Sequence, residues 1–347
     1  MPEDLRNRVD RQPTVAGLSE AELLDRIFPR LQMTDGHSTS TLLGPGDDAA
    51  VIAAPDGRTV ISIDTQVQDQ DFRLLWPNGY RTTGFDVGWK AAAQNLSDIN
   101  AMGAHATSMV VSLTLPVDTP VAWVEDLADG LTAGIRELGA SHCSVAGGDL
   151  GRGREISVTA AVLGTLDGGP PVLRSGARPG DILALAGTVG HAAAGLALLE
   201  SDIALDTLTP AERAFVDLQC RPRPPLQAGP AARAAGATAM LDISDGLQRD
   251  GKRLAAASKV AVALDPAGLT QLADLLAPAA ARLGVDGAAW VLGGGEDHGL
   301  LAVFPPGAGL PEGFVHIGSV VEAAAGAAEV TVDGEVPDVL GWDHFRG

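Results

Sequence analysis

The sequence DVGWKAAAQNLSDINAM, residues 86–102, predicts a long amphipathic helix. Apolar residues recur along it at helical spacing and define one face: Trp89, Ala92, Ala93, Leu96 and Ile99. Three polar residues, Lys90, Gln94 and Asp98, follow one another at i, i+4 and i+8. We therefore expect a helix that packs its apolar face into a core and carries one polar stripe.

Strands and helices alternate on both sides of this helix. Before residue 164 the patterns predict helices at 20–31 and 121–138, and strands at 59–64, 108–115 and 156–163. A stretch rich in glycine and proline, 164–181, then interrupts the pattern. After it we expect helices at 190–200 and 246–258, and strands at 182–186, 237–243, 259–264, 288–292, 300–304, 315–317 and 329–332. This order predicts an α/β or α+β fold with two domains, 1–168 and 169–347.

The strand at 59–64 has a two-residue period. Ile61 and Ile63 face one way, whereas Ser62 and Asp64 face the other. The hydroxyl and the carboxylate should therefore lie together on the polar side of this strand.

Composition limits the possible classes of protein. With 347 residues and 46% hydrophobic content, the chain is long enough for two domains and too apolar to be disordered. The net charge of −20 argues against a nucleic-acid partner. No apolar run is long enough for a membrane span, and the charged N-terminus does not resemble a signal peptide. Cys143 and Cys220 form neither a disulfide framework nor a CxxC motif. We expect a cytoplasmic protein without nucleic-acid or membrane partners.

Carboxylates beside glycine or hydroxylic residues recur along the chain. The segments are GPGDDAAV at 44–51, ISIDT at 61–65, NLSDINAMGA at 95–104, GGD at 147–149, LDISDGL at 241–247 and GGGEDHG at 293–299. So many carboxylates repel one another unless a cation lies between them. Mg²⁺ is the economical cation, because it takes oxygen ligands and shares them with the phosphates of a substrate. The pattern predicts a metal-dependent phosphoryl-transfer enzyme.

Each motif alone has a structural alternative. Asp47 and Asp48 could form an Asx turn, and Ser244 or Asp245 could cap the following helix. The GGGED segment could be an ordinary β-turn. The segment GLQRDGKR at 246–253 matches part of a Walker A loop, but it lacks the closing Ser or Thr. We interpret that segment as the start of a helix.

Eight segments, taken in order, resemble the signature of bacterial thiamine-monophosphate kinases. They are GPGDDAAV, ISIDT, GWKAAAQNLSDINAMGA, VAGGDLGRG, RSGARPGD, LDISDGL, GGGEDHGLL and GWDHF. This family shares a superfamily with aminoimidazole ribonucleotide synthetase and selenophosphate synthetase. The resemblance runs from about Gly44 to Phe345 and implies transfer of the γ-phosphate of ATP to thiamine monophosphate. It also implies a homodimer whose N-terminal domains pair their sheets into a barrel. A C-terminal α/β sandwich domain would complete the cleft, which would hold ATP and several Mg²⁺ ions.

Carried over by position, the resemblance implies metal ligands at Asp48, Ser62, Ile63 (through its carbonyl), Asp64, Asp98, Asp149, Asp242 and Asp245. It implies contacts to ATP from Gly148, Asp149, Arg174 and Ser244, and contacts to the thiamine portion from Glu296 and Trp342. Asp245 and Arg174 are the expected catalytic residues. The family typically has a histidine in the pattern DTLVxGxHF, where this chain reads DTQVQDQDF. Asp71 takes that position, and we expect it to contact the substrate.

The acceptor in this reaction is a phosphate monoester, whose second pKa is about 6, so no general base is needed. Two anions must be brought together, and Mg²⁺ ions with an arginine can neutralise their charge. Two other hypotheses stay open. The protein could resemble aminoimidazole ribonucleotide synthetase in activity, or it could be a non-catalytic module that binds a nucleotide or a divalent metal.

Overall fold

The computed structural model of the protein describes residues 13–31, 40–43, 50–324, 327–339 and 341–342. The N-terminal half contains helices α1 (Glu20–Leu31), α2 (Gly84–Ala101) and α3 (Val121–Glu137). Its strands are β1 (Thr41–Leu43), β2 (Val51–Ile52), β3 (Val60–Val67), β4 (His105–Leu115), β5 (Ser144–Arg152) and β6 (Ser157–Thr165). Asp47 and the predicted metal ligand Asp48 lie outside the described residues.

The C-terminal half contains strands β7 (Ile182–Ala186), β8 (Ala239–Ile243), β9 (Ala261–Leu264), β10 (Gly299–Phe304), β11 (Phe314–Val321) and β12 (Val330–Val332). Its helices are α4 (His191–Glu200), α5 (Pro210–Cys220), α6 (Ala228–Ala234), α7 (Leu247–Ser258), α8 (Pro266–Asp274), α9 (Ala277–Leu283) and α10 (Gly287–Gly293).

Helix α2 is the helix predicted at 86–102, and it begins with a capping box. The backbone N–H of Asp86 donates to the Thr83 hydroxyl at 3.2 Å, and the Asp86 carboxylate accepts from the backbone N–H of Thr83 at 2.9 Å. The predicted apolar face is buried. Helix α3 packs very closely against α2. A Cβ atom at Gly88 would lie only 2.0 Å from the carbonyl oxygen of Leu127. Glycine at this contact therefore fixes the distance between the two helices.

The N-terminal sheet has the strand order β3-β6-β4-β5 in the described part of the chain. Strands β4 and β5 are parallel, and the other neighbours are antiparallel. The predicted alternation in β3 is confirmed: Ser62 faces α2, whereas Ile61 and Ile63 face outward and are 66% and 63% exposed. We call the side of the sheet away from α2 the outer face; its apolar residues are Ile61, Ile63, Val110, Ala161 and Leu163.

The C-terminal sheet has the order β12-β9-β11-β7-β10-β8 in the described residues. It is a mixed sheet, because β12 and β9 are parallel and the other neighbouring strands are antiparallel. Apolar side chains of its central strands, such as Leu185 on β7 and Leu301 on β10, are fully buried in one core with residues of the surrounding helices. The chain is thus a mixed α/β protein with an N-terminal region of sheet and helices and a C-terminal mixed sheet, which confirms the predicted class.

One predicted strand is wrong. Residues 288–292 belong to helix α10, which starts where the Asp286 carboxylate accepts a 2.9 Å hydrogen bond from the backbone N–H of Ala288. A short apolar run suits a strand or a buried helix equally well, and the side-chain cap favours the helix. The segment 246–253 leads into α7, which confirms that it is the start of a helix.

The segment 72–83 of the N-terminal half packs against the C-terminal half. Trp76 lies in the hydrophobic core of the C-terminal half. The backbone N–H of Asn78 donates to the carbonyl of Leu199 at 3.3 Å, and the carbonyl of Asn78 accepts from Leu205 at 2.9 Å. A loop of the N-terminal half therefore packs on the C-terminal half. The division into domains 1–168 and 169–347 stays a prediction.

Both cysteines, Cys143 and Cys220, are buried free thiols. Among the helices that the structure describes, none is long and apolar enough to cross a membrane.

Candidate active site

Three aspartates from different elements converge between the two sheets. The hydroxyl of Ser62 on β3 donates a 2.5 Å hydrogen bond to the carboxylate of Asp98 on α2. The hydroxyl of the preceding residue, Ser97, donates at 3.2 Å to Asp242 on β8. Asp64 lies two residues beyond Ser62 and therefore faces the same side of β3. Three motifs that the sequence marks for metal binding thus supply one cluster, Asp64, Asp98 and Asp242.

The charges in this cluster are poorly balanced. Burial, together with the carboxylates of Asp242 and Asp64, raises the pKa of Asp98 to about 7. Burial also raises the pKa of Asp64; the nearby His298 opposes this rise, and the charges of Asp242 and Glu296 add to it. Burial alone would lower the pKa of His298, but its 3.4 Å hydrogen bond to Asp242 and the surrounding carboxylates raise it. One imidazole therefore faces several carboxylates.

The donor atoms of the cluster suit Mg²⁺. Ser62, Asp64, Asp98 and Asp242 offer only oxygen atoms, which are the ligands that this ion takes. Within the described residues, no three histidine, cysteine, aspartate or glutamate side chains are close enough to hold a metal ion as they stand. Burial raises the pKa of Asp98, the carboxylates of Asp242 and Asp64 add to this rise, and a bound cation would offset both effects. The residues therefore fit the predicted metal by donor chemistry and by charge.

The turn after β8 contains two further predicted site residues, Ser244 and Asp245. The backbone N–H groups of Ser244 and Asp245 donate to one carboxylate oxygen of Asp250, at 3.0 and 2.8 Å. The Asp245 carboxylate forms a 2.7 Å ion pair with Arg253. Helix α7 begins after a glycine and has no side-chain cap, so the alternative that Ser244 or Asp245 caps it is wrong. The backbone N–H of Trp342 donates to the carbonyl of Asp245 at 2.9 Å, which brings the predicted Trp342 to this turn.

The loop 293–299 is held in an unusual conformation against the end of β8. Glu296 and His298 have φ angles of 70° and 55°, in the left-handed region that non-glycine residues rarely adopt. The backbone N–H of Glu296 donates to the carbonyl of Ser244 at 3.0 Å. The buried Asp297 carboxylate accepts from the Thr188 hydroxyl at 2.7 Å and from two backbone N–H groups of the first turn of α4. The loop is thus a fixed part of the site rather than an ordinary β-turn.

Lys90 connects two predicted substrate residues. Its ammonium group forms an ion pair with the Glu296 carboxylate and donates to the carbonyl of Asp71 at 3.2 Å. The carboxylate of Asp71 accepts a 2.7 Å hydrogen bond from the backbone N–H of Val67, at the end of β3. Sequence reasoning gave Lys90 no role, although its place beside Gln94 in the polar stripe of α2 was a signal. Three other contributors were also missed, Ser97, His298 and Asp250.

Three predicted ATP residues lie away from the aspartate cluster within one chain. Gly148 and Asp149 belong to strand β5. Asp149 pairs with Ser112 of β4 and is exposed on the outer face, opposite to Asp98. Arg174 is exposed on the segment before β7, and its carbonyl accepts a 3.1 Å hydrogen bond from Ser258. The roles of these three residues stay predictions.

Similarity to known proteins covers both halves of this site. A family model described as AIR synthase related protein, N-terminal domain, matches residues 46–166. Over 337 residues the chain is 43% identical to the thiamine-monophosphate kinase of Mycobacterium tuberculosis, an alignment that covers 96% of this chain and 93% of the relative. It is 37% identical over 348 residues to the thiamine-monophosphate kinase of Corynebacterium glutamicum, covering 99% of this chain and 97% of the relative. The chain belongs to the thiamine-monophosphate kinase family.

Solved structures of thiamine-monophosphate kinases have the same fold. The enzyme from Stenotrophomonas maltophilia matches with a TM-score of 0.73 and 30% identity, over 92% of this chain and 98% of that one. A complex of AaThiL with AMPPCP and TMP matches with a TM-score of 0.73 and 28% identity, over 97% of this chain and 100% of that one. The structural similarity to thiamine-monophosphate kinases therefore covers both sheets and the helix α2 between them.

Proposed function

We propose that this protein transfers the γ-phosphate of ATP to thiamine monophosphate and forms thiamine diphosphate. The observation that carries the proposal is the convergence of Asp64, Asp98 and Asp242 in a chain of the thiamine-monophosphate kinase family. Excess negative charge at this point suits a site whose substrates arrive with Mg²⁺ on their phosphates.

We propose that Mg²⁺ is held by Ser62, Asp64, Asp98 and Asp242, with Asp48, Asp149, Asp245 and the carbonyl of Ile63 as further ligands. When bound, Mg²⁺ neutralises charge on the reacting phosphates and polarises the phosphoryl group. The acceptor phosphate of thiamine monophosphate is largely ionised near neutral pH, so no side chain has to remove its proton. The task of the protein is to bring two anions together in line.

For ATP, we propose contacts from Gly148, Asp149, Arg174 and Ser244. The solved AaThiL complex contains AMPPCP, an analogue of ATP, and its chain matches this one throughout. A Cβ atom at Gly148 would lie 2.0 Å from the carbonyl oxygen of Val111, so this position requires glycine for packing as well. Asp245 and Arg174 are the proposed catalytic residues, and the pairing of Asp245 with Arg253 holds its carboxylate in place.

For thiamine monophosphate, we propose contacts from Asp71, Glu296 and Trp342. Asp71 follows the end of β3, Glu296 belongs to the loop 293–299, and the backbone N–H of Trp342 donates to the carbonyl of Asp245. The thiazolium ring is a cation, which favours two carboxylates and an aromatic face. Trp342 is the residue that we expect to stack on it.

We further propose a homodimer that buries the outer face of the N-terminal sheet and closes it into a barrel with the partner's sheet. Ile61 and Ile63 are two of the most exposed large apolar side chains that the structure describes. Exposed apolar residues on adjacent strands of a sheet favour burial by a partner. In this arrangement the C-terminal α/β domain would form the other wall of the cleft.

A direct assay tests the function. Purified protein is incubated with ATP, Mg²⁺ and thiamine monophosphate, and thiamine diphosphate and ADP are measured by chromatography. We expect the two products in equal amounts. If thiamine monophosphate is bound but not converted, the protein is a binding module. If turnover occurs only with the substrate of an aminoimidazole ribonucleotide synthetase in place of thiamine monophosphate, the activity is that of such a synthetase.

A further inference from the structure

Lys90 is a buried lysine that meets two segments of the substrate site at once. Its side chain is 4% exposed, whereas that of Glu296 is 38% exposed. The ammonium group pairs with the Glu296 carboxylate from the C-terminal half and donates to the carbonyl of Asp71 from the N-terminal half. Lys90 therefore lies behind Glu296 as seen from solvent and connects the two walls of the site.

A buried ammonium group needs acceptors for its protons, because leaving it without them costs free energy. Within the described residues, its acceptors are the Glu296 carboxylate and the Asp71 carbonyl. The backbone is held by hydrogen bonds at both residues. The backbone N–H of Glu296 donates to the carbonyl of Ser244, and the Asp71 carboxylate accepts from the backbone N–H of Val67. The position of Lys90 is therefore fixed from both sides.

The ion pair also limits the freedom of the Glu296 side chain. A glutamate at the mouth of a site samples several rotamers, and ordering it on binding lowers the affinity. Lys90 orders the carboxylate before the substrate arrives. It also balances one negative charge close to the place where an anionic phosphate must bind.

We propose that Lys90 is a positioning residue that sets the specificity for thiamine monophosphate, by holding Glu296 against the turn that contains Asp71. The inference rests on the proposed function, since it names the ion pair that prepares the substrate pocket of that same site. In this proposal Lys90 makes no contact with the reacting phosphates. Its substitution should therefore raise the KM for thiamine monophosphate and leave the KM for ATP unchanged.

The experiment compares Lys90→Met, Glu296→Gln and the double variant with the wild-type protein. Lys90→Met should raise the KM for thiamine monophosphate about tenfold, as expected for the loss of one preordered side chain, and leave the KM for ATP within about twofold. In the double variant, the KM for thiamine monophosphate should equal that of Glu296→Gln alone, because Lys90 acts through Glu296. Lys90→Arg keeps the charge and should recover part of the affinity.

Calorimetric binding of thiamine monophosphate without ATP gives a readout separate from turnover, and its Kd should change as the KM does. Lys252→Met, at an exposed position on α7, is the matched control and should change nothing. Additive effects in the double variant, or an equal rise in both KM values, would overturn the proposal. If Lys90→Met does not fold, Lys90→Arg and the double variant Lys90→Arg/Glu296→Gln make the same comparison.

Failure of the proposed function is recognised independently. In that case the wild-type protein neither binds nor converts thiamine monophosphate. Thermal unfolding still reports the ion pair, because Glu296→Gln leaves a buried ammonium group without its carboxylate and should lower the Tm more than the double variant does. Normal binding and turnover by wild type with no change in Lys90→Met would reject only the role of Lys90.

Discussion

The hydroxyl of Ser97 donates a 3.2 Å hydrogen bond to the carboxylate of Asp242, across the boundary between the two halves of the chain. The next residue, Asp98, accepts from Ser62 on the opposite side. Successive residues of a helix point about 100° apart, so one turn of α2 reaches β8 and β3 together. Helix α2 is thus the element that sets the distances within the aspartate cluster, and changes on it should affect the whole site.

The first prediction concerns the metal ligands. Asp98→Asn and Asp242→Asn should each lower kcat on the order of 100-fold or more, because each removes a charged ligand that we propose for the Mg²⁺ at the transferring phosphate. Turnover should stop in excess EDTA and return with Mg²⁺. Asp274→Asn, at an exposed position on α8, is the control for a lost surface charge. Near-normal kcat in both active-site variants, with normal circular dichroism, would mean that the cluster is structural.

The second prediction concerns pH and the stability of the metal-free protein. The pKa of Asp98 is raised from 3.8 to about 7 on folding. The folded state therefore binds more protons than the unfolded state between these values, and the stability contributed by Asp98 is present at low pH and lost as the pH rises through about 7. The raised pKa of Asp64 acts in the same direction.

Thermal unfolding in EDTA measures this effect. The Tm of the wild-type protein should fall between about pH 5 and about pH 8, and the fall should be smaller in Asp98→Asn. Addition of Mg²⁺ at the upper pH should raise the Tm of the wild type by binding the folded state. Parallel curves for the two proteins would contradict the charge imbalance that we assign to the cluster.

The third prediction concerns the outer face. Ile61→Asp places a charge on the surface that we expect a partner to cover, so light scattering should report a monomer for this variant and a dimer for the wild type. Val315 on β11, which is 52% exposed, provides the matched control: Val315→Asp should stay dimeric. A wild-type monomer at micromolar concentration would count against the proposed assembly.

The fourth prediction concerns Asp71. Asp71→Asn keeps an acceptor for the N–H of Val67 and removes the charge, whereas Asp71→Ala removes both. If the carboxylate attracts the thiazolium, Asp71→Asn should raise the KM for thiamine monophosphate more than the KM for ATP. Asp71→Ala should in addition lower the Tm. Wild-type kinetics in Asp71→Asn combined with a low Tm in Asp71→Ala would assign Asp71 to the turn alone.

Local periodicity explains what the sequence could predict. The alternation of Ser62 with Ile63 and the spacing of Lys90, Gln94 and Asp98 follow from strand and helix geometry, and the structure confirms both. These patterns fix which side chains share a face, and therefore which carboxylates can meet.

Contacts between distant segments could not be predicted in this way. The ion pair of Lys90 with Glu296 depends on how two sheets pack, and no periodicity records that. The glycines beside Asp149 give no signal for a strand, but pairing with β4 extends this segment as a strand and places Asp149 on the outer face. In both cases the decisive information is tertiary.

The last prediction follows from the position of Asp149. Asp149 lies on the outer face of the sheet. It is in register across the strands with Ser112 on β4, Thr159 on β6 and Thr65 on β3. Asp64 faces the other side, and three strand spacings separate β5 from β3, about 14 Å. Asp149 therefore cannot join the ligands around Asp98 in the same chain without rebuilding the sheet.

The proposed dimer would shorten the distance between these two strands and leave Asp149 on the outer face. If a two-fold axis runs along the proposed barrel, the β5 edge of one protomer lies beside the β3 edge of its partner. We predict that Asp149 reaches the site of the other protomer at this edge, where the two sheets meet. Mixed dimers of Asp98→Asn with Asp149→Asn, isolated with two different affinity tags, should regain about half of the wild-type rate, because one site carries both substitutions and the other carries none.

The control is a mixed dimer of Asp98→Asn with Asp242→Asn. These two residues share the cluster within one chain through Ser97 and Ser62, so each site of this dimer keeps one substitution and no activity should return. The two mixed dimers differ only in which second aspartate is changed, so dimer formation and tagging affect them equally. A rate in the first mixture as low as in the control would place Asp149 in the site of its own chain, and a wild-type rate in the Asp149→Asn homodimer would place it outside the site altogether.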